Sequence, residues 1–63
     1  MNTLESLKAE VDFLTACREA GIKAAHEGRV PEPPAYNEPG TTPYEAWQLE
    51  MLAYEAERRR LAA

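Results

Sequence analysis

Cysteine and histidine are the side chains best suited to nucleophilic and acid–base chemistry, and this chain has one of each, Cys17 and His26. On a helix, a separation of nine residues turns through about 900°, so the two would point to opposite sides. A Cys/His nucleophile pair within one chain is therefore not expected. One His and one Cys also cannot supply the four ligands of a structural zinc site.

The favoured interpretation of these two residues is structural. We expect Cys17 to be a small buried hydrophobic residue, with a reactive thiol or an intermolecular disulfide as the alternative. We expect His26 to lie on the surface near the carboxyl end of a helix. The sequence contains no Gly-rich phosphate loop, no HExxH and no CxxC motif. It predicts no enzyme, no cofactor and no metal site.

The charge balance limits the classes of partner. The chain has 7 Lys and Arg against 11 Asp and Glu, a net charge of -4. A general nucleic-acid binder has the opposite sign, so no DNA binding is predicted. The carboxylates are expected on solvated helix faces. The run Arg58-Arg59-Arg60 suits the end of a helix, and the alternative is a docking patch for an acidic partner or RNA phosphate.

Length and targeting signals bound the architecture. With 63 residues the chain forms one domain at most, 1–63. A domain this small buries only about 60% of the surface that its unfolded chain exposes, so well-packed helices or self-association must stabilise it. We expect a cytoplasmic protein with no membrane contact, because the N-terminus lacks the features of a signal peptide and no apolar run spans a bilayer.

Helix signals divide the chain in two. Asn2 can cap a first helix, with Glu5 three residues further on to reach back. Gly28 is a natural stop for a helix over about 3–27. The apolar residues of its first half recur at steps of three and four, which is the helical period. They are Leu4, Leu7, Val11 and Leu14.

A proline-rich segment and a second helix follow. Four prolines in 29–41 forbid a helix there and favour a stiff extended connector, with a proline-rich ligand as the alternative. Tyr36 is expected to fold back onto the helices. Thr42 as N-cap, Pro43 at the first helical position and Glu45 as its capping-box partner predict a helix from 43 to about 60.

Each predicted helix carries two apolar strips, which suggests two neighbours for each helix. In helix 1 one strip is leucine-rich and the other alanine-rich; in helix 2 one strip is aromatic and the other contains Leu49 and Leu52. We therefore predict an all-α fold, a two-helix hairpin joined by a proline-rich loop that self-associates into a helical bundle as a homodimer or higher oligomer. The alternative is a monomer that leaves the alanine-rich strip exposed. Close packing is expected at Gly21, with the ring of Trp47 or Tyr36 as the neighbour.

The stretch from Ala20 to Arg29, with its Gly-x-x-Ala and Gly-Arg elements, resembles the ribosome modulation factor family. Pro34-Ala35-Tyr36 resembles the Pro-Tyr element of that family's loop, and Trp47 and Met51 resemble its spaced tryptophan pair, with Met in place of the second. The similarity covers about residues 16–57. It implies two helices with a connecting loop and a ribosome-associated role, although those proteins are strongly basic and this chain is acidic.

The leading functional hypothesis is a small non-enzymatic modulator that binds another protein. Short acidic helical proteins are typical of phage and mobile elements, where they bind and inhibit a host protein. The alternative is a ribosome-associated protein similar to the modulation factors. Aromatic residues and arginine are the usual interface anchors. The predicted partner-binding residues are Tyr36, Tyr44, Trp47, Met51, Tyr54, Arg58 and Arg59. The alternative is that Trp47 and Met51 belong to the core.

Overall fold

The computed structural model describes residues 3–35, 38, 40 and 42–63. Within them the regular structure consists of two helices, α1 (Thr3–Glu27) and α2 (Thr42–Ala62), which pack against each other. The predicted all-α hairpin, two helices joined by a proline-rich connection, is confirmed. Over the same residues, neither helix combines the length and apolarity needed to cross a membrane.

The end of α1 is fixed by Gly28, as predicted. Gly28 has a φ of 73°, a left-handed conformation that costs glycine nothing. Its N–H donates to the carbonyl of Ala25 at 3.3 Å, and the N–H of Arg29 donates to the carbonyl of Ala24 at 3.0 Å. These two bonds form a Schellman motif, which satisfies carbonyls that the helix leaves without a partner.

The start of α2 differs from the prediction by one residue. The helix begins at Thr42, the predicted cap, and its first turn contains Pro43 and Glu45. Proline is tolerated throughout that turn, because those N–H groups have no intrahelical acceptor. The helix continues to Ala62, two residues beyond the predicted end. Asn2, the predicted cap of α1, lies outside the described residues.

The closest approach of the two helices is at Gly21. A Cβ atom placed there would lie 2.8 Å from Cβ of Ala53 and 2.9 Å from the backbone N of Tyr54, and it would collide with the carbonyl oxygen of Glu50. The predicted close packing is therefore present, but the neighbour is the backbone of α2. The prediction that the ring of Trp47 is this neighbour is wrong. Tyr36, the other predicted neighbour, lies outside the described residues.

Two cross-helix contacts give the relative placement of the helices. Gly21 lies against the segment 50–54, and further along α1 the side chain of His26 reaches Glu57. Both contacts join the second half of α1 to α2.

Trp47 fastens the proline-rich connection to α2. Its indole Nε1 donates to the carbonyl oxygen of Pro31 at 3.3 Å, and Pro31 is buried. The ring of Tyr44 packs on that of Trp47 with 5.8 Å between centroids and a 60° tilt. This tilted arrangement is one that aromatic pairs prefer. The role of pinning the connection, predicted for Tyr36, is therefore filled by Trp47 among the described residues.

The strip of α1 that packs on α2 is the small-residue strip. Cys17, Gly21 and Ala24 are buried, whereas the large side chains of the leucine-rich strip in the first half of α1 are exposed. Of the alanine-rich strip, Ala24 is buried, whereas Ala9, Ala16 and Ala20 are exposed, as the alternative of an uncovered strip expects. Small side chains let the helix backbones approach closely at Gly21, and the exposed leucines lie in the half of α1 that precedes this contact.

Candidate protein-interaction site

Apolar side chains remain on the outward face of α2. A shallow depression there is lined by Trp47, Met51 and Leu52, together with Glu45, Gln48 and Leu49. Leu52 is 63% exposed, and Trp47 and Met51 are half-buried. We call this the α2 apolar surface. It brings together two of the predicted partner-binding residues, Trp47 and Met51, with two that were not predicted, Leu49 and Leu52.

The sequence contained the signal for the two additional residues. Leu49 and Leu52 form the second apolar strip of α2. The contact of α2 with Gly21 is made by Ala53, Tyr54 and the backbone at Glu50, and Leu52 is exposed.

Tyr54 is not part of the exposed surface that was predicted for it. The residue is 6% exposed and belongs to the helix interface. Its hydroxyl accepts a bond from Nη1 of Arg58 at 3.3 Å, and the guanidinium carbon lies 5.7 Å from the ring centroid. Arg58 therefore covers the ring by a cation–π contact and shields it from solvent. Tyr44 is half-buried against Trp47, and Tyr36 lies outside the described residues.

Arg58 and Arg59 are adjacent and exposed, and their side chains bind different groups. Both line a second shallow depression with Tyr54, Glu55 and Ala62. Nε of Arg59 donates to the backbone carbonyl of Glu55 at 3.4 Å. Within the described part of the chain, no carboxylate forms an ion pair with either guanidinium. Their positive charge therefore remains available to an acidic partner.

Arg60 is instead neutralised in a three-residue cluster. Its Nε donates to Oε1 of Glu57 at 2.9 Å and its Nη2 donates to Oε2. Nε2 of His26 lies 2.7 Å from the same Oε2. The bond from Arg60, and secondarily that from His26, lowers the pKa of Glu57 to about 2.

This cluster corrects the expectation that every carboxylate lies on a solvated face. Glu57 is buried and bonded on both oxygens, whereas His26 is exposed as predicted but also reaches across to α2. The sequence carries no signal for this pair, because its members are 31 positions apart and the helix register decides whether they meet.

Cys17 is buried, as predicted for a small hydrophobic residue. It is 5% exposed, and burial, assisted by the nearby carboxylate of Glu50, raises the pKa of its thiol. A protonated, covered thiol is a poor nucleophile. Across the described ranges, no group of three His, Cys, Asp or Glu side chains has a geometry that could hold a metal ion.

The chain matches no protein-family model, and it has no significant match among the curated proteins or among the solved structures. Its resemblance to the ribosome modulation factors remains a prediction.

Proposed function

We propose that this chain is a non-enzymatic modulator that binds another protein through the α2 apolar surface. The observation that carries the proposal is the exposure of Leu52 beside the half-buried Trp47 and Met51. An aromatic ring and a methionine are among the side chains enriched at protein interfaces. Methionine is also adaptable, because its unbranched chain can fit an irregular partner.

Arg58 and Arg59 give the surface a preference for an acidic partner. Arg58 and Arg59 lie on the same helix, further along the chain from the apolar residues, and no carboxylate in the described residues pairs with them. An acidic group on the partner would gain a charge-assisted hydrogen bond there. The partner surface that fits is thus an apolar patch with acidic residues at its edge.

The titratable groups support a non-enzymatic role. The thiol of Cys17 is buried with a raised pKa, and the carboxylate of Glu57 has a pKa of about 2 and is bonded to two partners. A general base that works near neutrality needs a pKa closer to 7. These groups lie at the contact between the two helices.

The form of the proposal that we favour is a phage or mobile-element protein that inhibits a host protein.

A ribosome-associated role is the second candidate. It is favoured by Arg58 and Arg59, whose charges could contact RNA phosphate. Two arginines give a small counterion-release contribution, and the net charge of -4 opposes it. We therefore rank this role below protein binding.

Affinity capture from the source cells with matched variants tests the ranking. Leu52→Glu places a charge in the α2 apolar surface, and Ala16→Glu adds the same charge at an exposed position of α1. We expect wild type and Ala16→Glu to capture the same protein and Leu52→Glu to lose it. Equal capture by all three would exclude this surface. Co-sedimentation with ribosomes that is lost in the Arg58→Ala, Arg59→Ala double variant would favour the second candidate.

A further inference from the structure

The first half of α1 carries an apolar row that the described residues leave exposed. Leu4 is 77% exposed, Leu7 and Val11 are each 57% exposed, and Leu14 is 44% exposed. We call these four residues the α1 apolar row. We propose that it is the contact between two copies of this chain, which form a symmetric homodimer through their first helices.

The spacing of the row suits an identical helix. The four side chains follow one another at steps of three, four and three, which are the a and d positions of a two-heptad seam. Such a seam packs knobs into holes against a copy of itself. The next position in the repeat is Arg18, which is exposed and ends the row. The seam is therefore confined to the half of α1 that precedes the contact with α2.

The chain exposes more surface than a compact monomer of its size. It exposes 4960 Å². A compact monomer of 7.1 kDa exposes about 4,100 Å². A second copy seated on the α1 apolar row would remove part of this excess, since a standard interface covers about 800 Å² of each partner.

The small core favours a permanent partner over an occasional one. The buried hydrophobic residues of the described chain are Cys17, Ala24 and Tyr54, and in that part no large side chain is fully buried. A small domain of this kind usually needs further stabilisation by a disulfide, a metal or oligomerisation. A second copy is present wherever the chain is made, whereas a foreign partner is not.

Sedimentation equilibrium of the full chain tests the proposal. Over about 1 to 100 μM, we expect wild type to have twice the 7.1 kDa monomer mass. The thermal midpoint should also rise with protein concentration, as mass action requires of a dimer. Leu7→Glu places a charge in the seam, and Ala16→Glu places it at an exposed position away from the row. We expect Leu7→Glu to raise the dissociation constant at least about 100-fold and Ala16→Glu to leave it unchanged.

The possible results either support or overturn the dimer. A monomer mass for wild type over the whole range would overturn the proposal, and so would a Leu7→Glu variant that dimerises like wild type. A helical monomer for Leu7→Glu would support it. Loss of helicity in Leu7→Glu alone, with Ala16→Glu folded and dimeric, would also support it, because Leu7 makes too little contact within one chain for its replacement to unfold that chain. The α2 apolar surface lies on another helix, so failure here leaves the proposed function intact.

Discussion

Nε2 of His26 and Oε2 of Glu57 lie 2.7 Å apart and join the last turn of α1 to α2. Glu57 is thus held from both sides, by His26 across the interface and by Arg60 one turn further along its own helix. The carboxylate is the group on which both bonds depend.

Acid should therefore weaken the fold through Glu57. Its pKa in the folded chain is about 2, below the ordinary 4.5, so its ionised form stabilises the native state. That contribution is fully present above pH 4.5 and is lost as the pH falls from there towards 2. Urea unfolding midpoints measured across this range should fall in wild type.

Glu57→Gln is the control for this pH dependence, because it keeps the size of the side chain and removes its titration. Glu27, whose pKa is lowered by its bond to Arg29, will still titrate in the variant. We expect Glu57→Gln to be less stable than wild type at pH 7 and to lose less stability towards acid. Equal slopes for the two proteins would show that Glu57 does not contribute.

Gly21→Ala should destabilise the protein, although alanine is the better helix former. The gain in helix propensity is about 1 kcal/mol, whereas overpacking costs about 1–3 kcal/mol. Overpacking should prevail, because two of the three atoms that the new Cβ would meet belong to the backbone of α2 and cannot rotate away. Denaturant unfolding measures the difference. Ala16→Gly, at an exposed site, should show the propensity cost alone, and a Gly21→Ala variant more stable than wild type would contradict the close approach.

Trp47→Phe should loosen the proline-rich connection while the helices remain. The phenyl ring keeps most of the packing but cannot donate to the carbonyl of Pro31. The lost bond should cost about 0.5–1.5 kcal/mol. Limited proteolysis should then cleave within 29–41 faster than in wild type. Tyr44→Phe, which keeps the aromatic ring that packs on Trp47, is the control. An unchanged cleavage rate in Trp47→Phe would mean that the bond does not hold the connection.

Duplex DNA should not bind at about 150 mM salt, because a chain of charge -4 releases few counterions. Fluorescence anisotropy of a labelled duplex measures this directly. Saturable micromolar binding would favour the RNA-phosphate role of the arginines over the protein-partner role. Weak binding at low salt that disappears in the Arg58→Ala, Arg59→Ala variant would leave the ranking as it is.

The sequence was sufficient to predict the helices because their signals are local. The period of Leu4, Leu7, Val11 and Leu14 and the stop at Gly28 each depend on a few neighbouring residues. The choice of the buried strip was not predicted, because it depends on how closely two backbones approach at Gly21. Hydrophobicity favours burying the leucines, but the close contact at Gly21 buries the small residues.

The candidate site was predicted only in part for a similar reason. The aromatic spacing predicts that Trp47 and Met51 lie on α2, but whether a ring faces out or in depends on the rotation of the helix. Tyr54 faces in, and Leu52, on the opposite side, faces out. The pairing of His26 with Glu57 depends on the register between helices, which no local pattern specifies.

The close approach at Gly21 also separates the constraints on folding from those on binding. Where backbones touch, a substitution must be small, so positions 21 and 53 can accept few residues. The outer positions of α1 and α2 take no part in that contact and are free to change. We expect a library that randomises Gln48 and Leu52 to yield mostly folded proteins with altered binding, and one that randomises Gly21 and Ala53 to yield mostly unfolded ones. The fold could thus serve as a scaffold on which new partner specificities are selected.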